Sequence, residues 1–146
     1  MADPVTLRPV EPADLPIHYE QQRDPASVAM AGVGGRDREA FDEHWGRILA
    51  DDDTLIRTIL VGSEVAGHVL SFERDGRREV GYWIARHHWG RGVATAALVA
   101  FLGEETTRPL FAGVLPANLG SLRVLEKCGF AVAGEADDEL VILRLG

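Results

Sequence analysis

Several things are scarce in these 146 residues, and each scarcity excludes something. Cysteine occurs once, as Cys128, so no intrachain disulfide can form. No CxxC or Cys/His run has zinc spacing, and no metal site is expected. No run of about 18 apolar residues exists, so a transmembrane helix and a membrane partner are not expected. The first residues, Met1-Ala2-Asp3-Pro4, show no basic stretch followed by an apolar one, and a soluble cytoplasmic protein is expected. Basic residues are outnumbered, 15 against 23 acidic ones, for a net charge of −8. That excludes a general phosphate-backbone binder, so no nucleic-acid partner is expected, and it favours cationic or neutral partners. Lysine and asparagine also occur once each, as Lys127 and Asn118. What remains is ordinary: 46% hydrophobic and 26% charged residues describe a globular chain, and residues 1–146 read as one domain.

The pattern along the chain predicts a short strand at 5–8, closed by Pro9 and Pro12, then a helix over 13–22. Asp24-Pro25 reads as a break, and Ala31–Gly35 as a mobile loop. A second helix over 37–50 carries Phe41, Trp45, Ile48 and Leu49 on one stripe. Strands at 54–61, 64–73 and 78–85 are separated by Gly62-Ser63 and Asp75-Gly76, two short hairpin signals. A helix after Gly92 extends to about Thr107, and a strand over 110–115 follows. A helix over 118–127 then ends at Gly129, and strands at 130–134 and 140–145 complete the pattern. This order describes an α+β fold on a mixed sheet.

The segment from Gly81 through Thr95 carries the chemistry. A strand delivers the chain to a glycine-rich turn, and the turn opens a helix whose first N–H groups form an anion site. Gly90 and Gly92 let the backbone approach a phosphate without a Cβ in the way. A nucleotide P-loop is excluded, because the turn has no lysine. The dinucleotide fingerprint fails because Thr95 stands where a third glycine or alanine belongs.

Trp89-Gly90-Arg91-Gly92-Val93-Ala94 resembles the acyl-CoA pyrophosphate loop of the GNAT N-acetyltransferase superfamily, written Q/R-x-x-G-x-G/A. Trp89 stands in place of the usual Gln/Arg, as in the branch of ribosomal-protein N-terminal acetyltransferases. Asn118-x-x-Ser121 followed by Glu126-Lys127-Cys128-Gly129-Phe130 resembles the late helix of the same superfamily. The resemblance covers nearly the whole chain. It implies a mostly antiparallel central sheet with flanking helices, splayed between the fourth and fifth strands, with Gly81 supplying a bulge. It implies acetyl-CoA as co-substrate, held by Trp89, Gly90, Arg91, Gly92, Val93, Ala94 and Thr95, with its pantetheine arm beside Trp83 and Ile84 and a contact from Asn118. Many relatives place a tyrosine seven residues after the Asn as general acid. Here that residue is Leu125, and Ser121 is the replacement candidate. The segment 24–36 would shape the acceptor mouth, and a homodimer formed through the final strand is a further implication.

Acetylating an amine needs a neutral nucleophile. A lysine-like amine of pKa about 10.4 costs roughly 4–5 kcal/mol to deprotonate at pH 7, an α-amine near 7.8 only about 1 kcal/mol. Glu79, entering the fourth strand, sits where many relatives carry an acid that acts as base, directly or through water. The expected function is acetyl transfer from acetyl-CoA to an amine, either a peptide N-terminus or a small, cationic molecule. The alternative is a non-catalytic acyl-CoA sensor, which the missing tyrosine keeps open. His44 and His68 read as packed histidines, and His87 and His88 as flanking the phosphate loop. Asp24 and Asp37 read as acids near the mouth.

Overall fold

The computed structural model describes residues 3–32, 34–135 and 140–146. One seven-stranded sheet organises them: β1 (Val5–Arg8), β2 (Leu55–Val61), β3 (Glu64–Arg74), β4 (Arg77–Ile84), β5 (Leu110–Val114), β6 (Ala131–Glu135) and β7 (Val141–Leu145). Their order across the sheet is β1-β2-β3-β4-β5-β7-β6. The hairpin signals hold. Asp75 and Gly76 both take positive φ, 51° and 79°, the pair that a tight Asp-Gly turn between twisted strands requires. Gly67 is needed for a different reason, because a Cβ there would lie 1.8 Å from the Trp83 carbonyl oxygen on the neighbouring strand.

All strand pairs are antiparallel except β4 with β5. That parallel ladder holds only Arg78 opposite Leu110 and Glu79 opposite Phe111, and the strands then part. The expected splay between the fourth and fifth strands is present. It needs no bulge at Gly81, which stays in regular register with Leu70 of β3, contrary to the sequence expectation. The splay arises instead because the β4–β5 ladder simply ends.

Helices α1 (Leu15–Gln21) and α3 (Arg38–Ala50) belong to one side of the sheet, α4 (Val93–Leu102) and α5 (Leu119–Lys127) to the other, and α2 (Pro25–Ala31) contributes to neither core cluster. The α4–α5 side buries Leu98, Phe101 and Leu125 against Ile59, Val69 and Val80 of the strands. Phe41, Trp45 and Ile56 form a smaller cluster on the α3 side. Among the described residues, no helix is long and apolar enough to cross a membrane.

The structure departs from expectation at three places. Asp24-Pro25 ends the first helix, as expected, and also starts a further one, α2. The Asp24 carboxylate accepts the Ser27 N–H at 3.0 Å, and Pro25 occupies the first turn, where no N–H is needed. Helix α4 stops at Leu102, well short of Thr107, and the chain beyond turns Glu105 inward, where Ser71 and the Arg78 guanidinium each donate to it at 2.6 Å. Strand β7 is not an edge. It is paired with β5 on one flank and β6 on the other, so it offers no free ladder to a second copy of the chain.

Candidate functional site

The open end of the splay leads into a cleft of about 430 Å³, a volume typical of small-molecule sites. Its walls come from both sides of the sheet. Ser27, Met30 and Ala31 of α2 form one wall, Tyr82, Trp83 and Ile84 of β4 the floor, and α5 the opposite wall. At one end lies the turn into α4, with Trp89, Gly90, Gly92, Val93, Ala94 and Thr95 in the lining. Gly92 is the N-cap of α4 with φ of 75°, and no side chain caps the helix. A Cβ built at Gly90 or Gly92 would meet nothing within 4 Å, so space lies over the helix end. The first N–H groups of α4 have no partner within the helix and carry its positive end. This cradle fits a phosphate-bearing ligand. The Trp89 indole N–H donates to the Ile84 carbonyl at 2.9 Å, which ties the turn to the end of β4 and gives Trp89 a structural task.

Arg91 is exposed and is not among the residues lining the cleft. The cations that do line it are Arg123 and Lys127 of α5. Together with Gly120 and Val124 they lie at helical spacing on one face, a signal already present in the sequence. Asn118 lines the cleft and does two further things: its Oδ1 caps α5 by accepting the Ser121 N–H at 3.2 Å, and its Nδ2 donates to the Met30 carbonyl at 3.3 Å. That second bond straps α2 to α5 across the cleft.

Ser121 also lines the cleft, and its hydroxyl is hydrogen-bonded to the Tyr82 hydroxyl. Sequence reasoning gave Tyr82 no chemical role. The alternation of β4 does send Val80, Tyr82 and Ile84 toward the α4–α5 side, but that a tyrosine from a strand meets a serine 39 residues later is a tertiary fact. Burial pushes the Tyr82 phenol up to about 12, partly opposed by the bond to Ser121. It therefore holds its proton at neutral pH.

Glu79 is not part of the cleft lining. It stands on β4 at the closed end of the splay, on the same strand face as Gly81 and Trp83, with the Arg74 guanidinium 3.9 Å away. Asp24 and Asp37 are both engaged as helix caps, Asp24 also pairing with Arg86 at 3.2 Å and Asp37 accepting the Ala40 N–H at 2.8 Å. A second cavity of about 190 Å³ lies on the α3 side, lined by Gln22, Gly34, Arg36, His44, Trp45, His68 and Trp83 among others. His18 stacks on Trp45, and His68 packs edge-on against both rings. Burial holds His68 well below the ordinary histidine range. The expectation of packed histidines is met for His68.

Glu64 and the adjacent pair His87 and His88 place three donor atoms within 4.8 Å of one another. Spacing rules read runs of Cys and His, and a glutamate from a different strand escapes them.

The family model described as "Acetyltransferase (GNAT) domain" matches residues 5–131. The chain is 35% identical over 97 residues to "Probable N-acetyltransferase YjcK" of Bacillus subtilis (strain 168), a match covering 64% of this chain and 50% of that protein. It thus spans about half the length of that relative. It is 28% identical to "Putative ribosomal N-acetyltransferase YdaF" of the same organism, over 94% of this chain and 84% of the relative. Among solved structures, a spermidine N-acetyltransferase from Vibrio cholerae, in complex with CoA and spermine, superposes with a TM-score of 0.83 at 18% identity, covering 96% of this chain and 92% of that one. The chain belongs to the GNAT acetyltransferase family.

Proposed function

We propose that the protein transfers an acetyl group from acetyl-CoA to a primary amine. The observation that carries this reading is the continuous path from the uncapped start of α4, along the parted edge of β4, to the Tyr82–Ser121 pair. Family membership and the CoA in the spermidine N-acetyltransferase structure support the same donor. Bound acetyl-CoA supplies an activated acyl carbon and a thiolate leaving group. The N–H groups of Val93, Ala94 and Thr95, with Arg123 and Lys127, bind the phosphates. The unpaired edge of β4 at Trp83 and Ile84 aligns the extended arm as a strand would be aligned.

Chemistry then divides between two groups. As the C–N bond forms and the C–S bond breaks, Ser121 donates a proton to the thiolate and Tyr82 replaces it. A thiol leaves with pKa near 8.5, so this acid assists without being indispensable. Glu79 takes the proton from the amine through water. The acceptor is a peptide N-terminus or a small amine captured as a cation by the net charge of −8 rather than by Asp24 and Asp37, which already cap helices. Spermine in the Vibrio cholerae structure is an amine of that kind. The test is free-thiol release from acetyl-CoA across a panel of N-terminal peptides and polyamines. Amine-dependent release that weakens with salt supports the reading. CoA-induced stabilisation with no amine-dependent release would establish the sensor instead.

A further inference from the structure

Beside the turn, Glu64 opens β3 and the residues Arg86–His88 form a single 3-10 turn after β4, with His88 also lining the cleft. One backbone bond holds the two segments together, the Ala85 N–H donating to the Ala66 carbonyl at 2.8 Å, and the His88 N–H closes the turn by donating to the Ala85 carbonyl at 2.9 Å. Both imidazoles aim Nε2 at the same carboxylate oxygen, Glu64 Oε1, His87 at 2.6 Å and His88 at 3.2 Å. Their rings lie 4.2 Å apart, centre to centre. We propose that Glu64, His87 and His88 form a binding site for a divalent transition-metal ion, with zinc as the reference ion.

Three arguments carry this. The donor set is two imidazoles and one carboxylate, which suits zinc, cobalt, nickel or copper and not the hard cations that need an oxygen cage. The spacing is close to what coordination needs: bonds of about 2.0–2.2 Å in a tetrahedron put neighbouring donors roughly 3.4 Å apart. The His88–Glu64 edge already has nearly that length, and the short His87–Glu64 edge must open by under an ångström. The rigidity is distributed to allow it, since His88 is buried at 4% exposure while Glu64 and His87 are open to solvent and can adjust. Three protein ligands leave at least one position for water or a phosphate oxygen. A metal here would pin the segment that immediately precedes the Trp89–Gly92 turn, and it stands independently of the acetyl-transfer reading.

The competing state is a plain hydrogen-bonded trio in which protons occupy the place of the metal. The tag-free chain separates the two. Zinc affinity is measured by competition with a chromophoric chelator, and cobalt substitution is followed by visible absorption, which is intense only for four- or five-coordinate sites. Glu64→Gln and His87→Asn are exposed changes whose folding is checked by thermal melting. Losing an outer-shell partner of a metal site costs 10–100-fold in affinity, so losing a ligand should weaken zinc at least tenfold in either variant. His44→Asn, which alters an imidazole on the α3 side, should leave zinc affinity unchanged. Zinc binding weaker than about 0.1 mM in the native chain, or affinity that both ligand variants preserve, overturns the proposal. So does a pale, six-coordinate cobalt spectrum.

Discussion

The α4–α5 side of the sheet buries Ile59, Val69, Leu98 and Phe101 at 0% exposure, a contact surface of carbon against carbon. The α1–α3 side is threaded with polar groups. There the buried His18 imidazole is hydrogen-bonded to the Thr58 hydroxyl at 3.2 Å, Thr58 donates to Asp14 at 2.8 Å, and the Arg8 guanidinium grips Asp14 with two bonds of 2.6 and 2.8 Å. His68 and a cavity lie beside them. Apolar burial is indifferent to pH, whereas a chain of hydrogen-bonded titratable groups holds only in the right protonation state. The first side fixes the helix that carries the cradle. The second is conditional, and it is the side of the second cavity.

The largest expected effect breaks the unconditional side. Phe101→Ala should cost about 3–5 kcal/mol, the range for deleting a buried aromatic ring, with a cost equal at pH 7.5 and pH 5 in urea melts. A strongly pH-dependent cost would erase the distinction between the two sides. Next is the conditional side under acid. Burial lowers the His18 imidazole to about 4, while in the unfolded chain it titrates near 6.5. Between those values the unfolded state binds the extra proton, so stability falls as pH drops from about 6.5 to 4, by about 3 kcal/mol for His18. Asp14, held down to about 2 by hydrogen bonds and an arginine that outweigh its burial, loses its contribution only lower, as pH falls from about 4 toward 2. His18→Gln should shrink the upper window to the part that the buried His68 contributes and leave the lower one intact.

Smaller effects sharpen the comparison at the cleft, where both sides meet. Gly92→Val forces a β-branched residue to φ of 75° and puts a side chain into the cradle. Native protein with CoA at 100 times its Kd should gain about 2.7 kcal/mol, seen as a melting shift, and the variant should gain none. Tyr82→Phe should lower kcat about tenfold with KM for acetyl-CoA unchanged, and Tyr82→Phe with Ser121→Ala should be little worse than either alone. Additive losses would separate the two residues. The smallest effect belongs to Glu79→Gln. It should lower kcat more for a lysine-like amine than for an α-amine, because the deprotonation costs differ by about 3.5 kcal/mol. Proton source and proton acceptor would then lie on opposite sides of one strand, β4.

Much of this was legible in the sequence because it is written locally. The hairpins at Gly62-Ser63 and Asp75-Gly76, the turn before α4 and the Asn118–Ser121 cap are all patterns within a few residues. The parted strands were legible only through the family resemblance, since no local pattern encodes where a parallel ladder stops. Asp24-Pro25 was read only as the end of one helix, because nothing local shows that the Ser27 N–H lets the same pair start another. Tyr82 with Ser121, and Glu64 with His87 and His88, were out of reach. Each joins segments that meet only through the sheet order.

That order, with β7 between β5 and β6, also sets a schedule. A ribosome adds roughly 5–20 residues per second. When β6 emerges, the place beside β5 is still vacant, because the strand that bridges them has not been made. For about a second β6 has nothing to pair with, while β5 presents a bare edge of the kind that seeks a partner from another chain. The sheet is then completed out of sequence, β7 entering an interior position after both of its neighbours have been made. Growth conditions that slow elongation between residues 131 and 145 should therefore lengthen the interval in which nascent chains can cross-pair, a hazard set by topology and timing rather than by the stability of the finished fold.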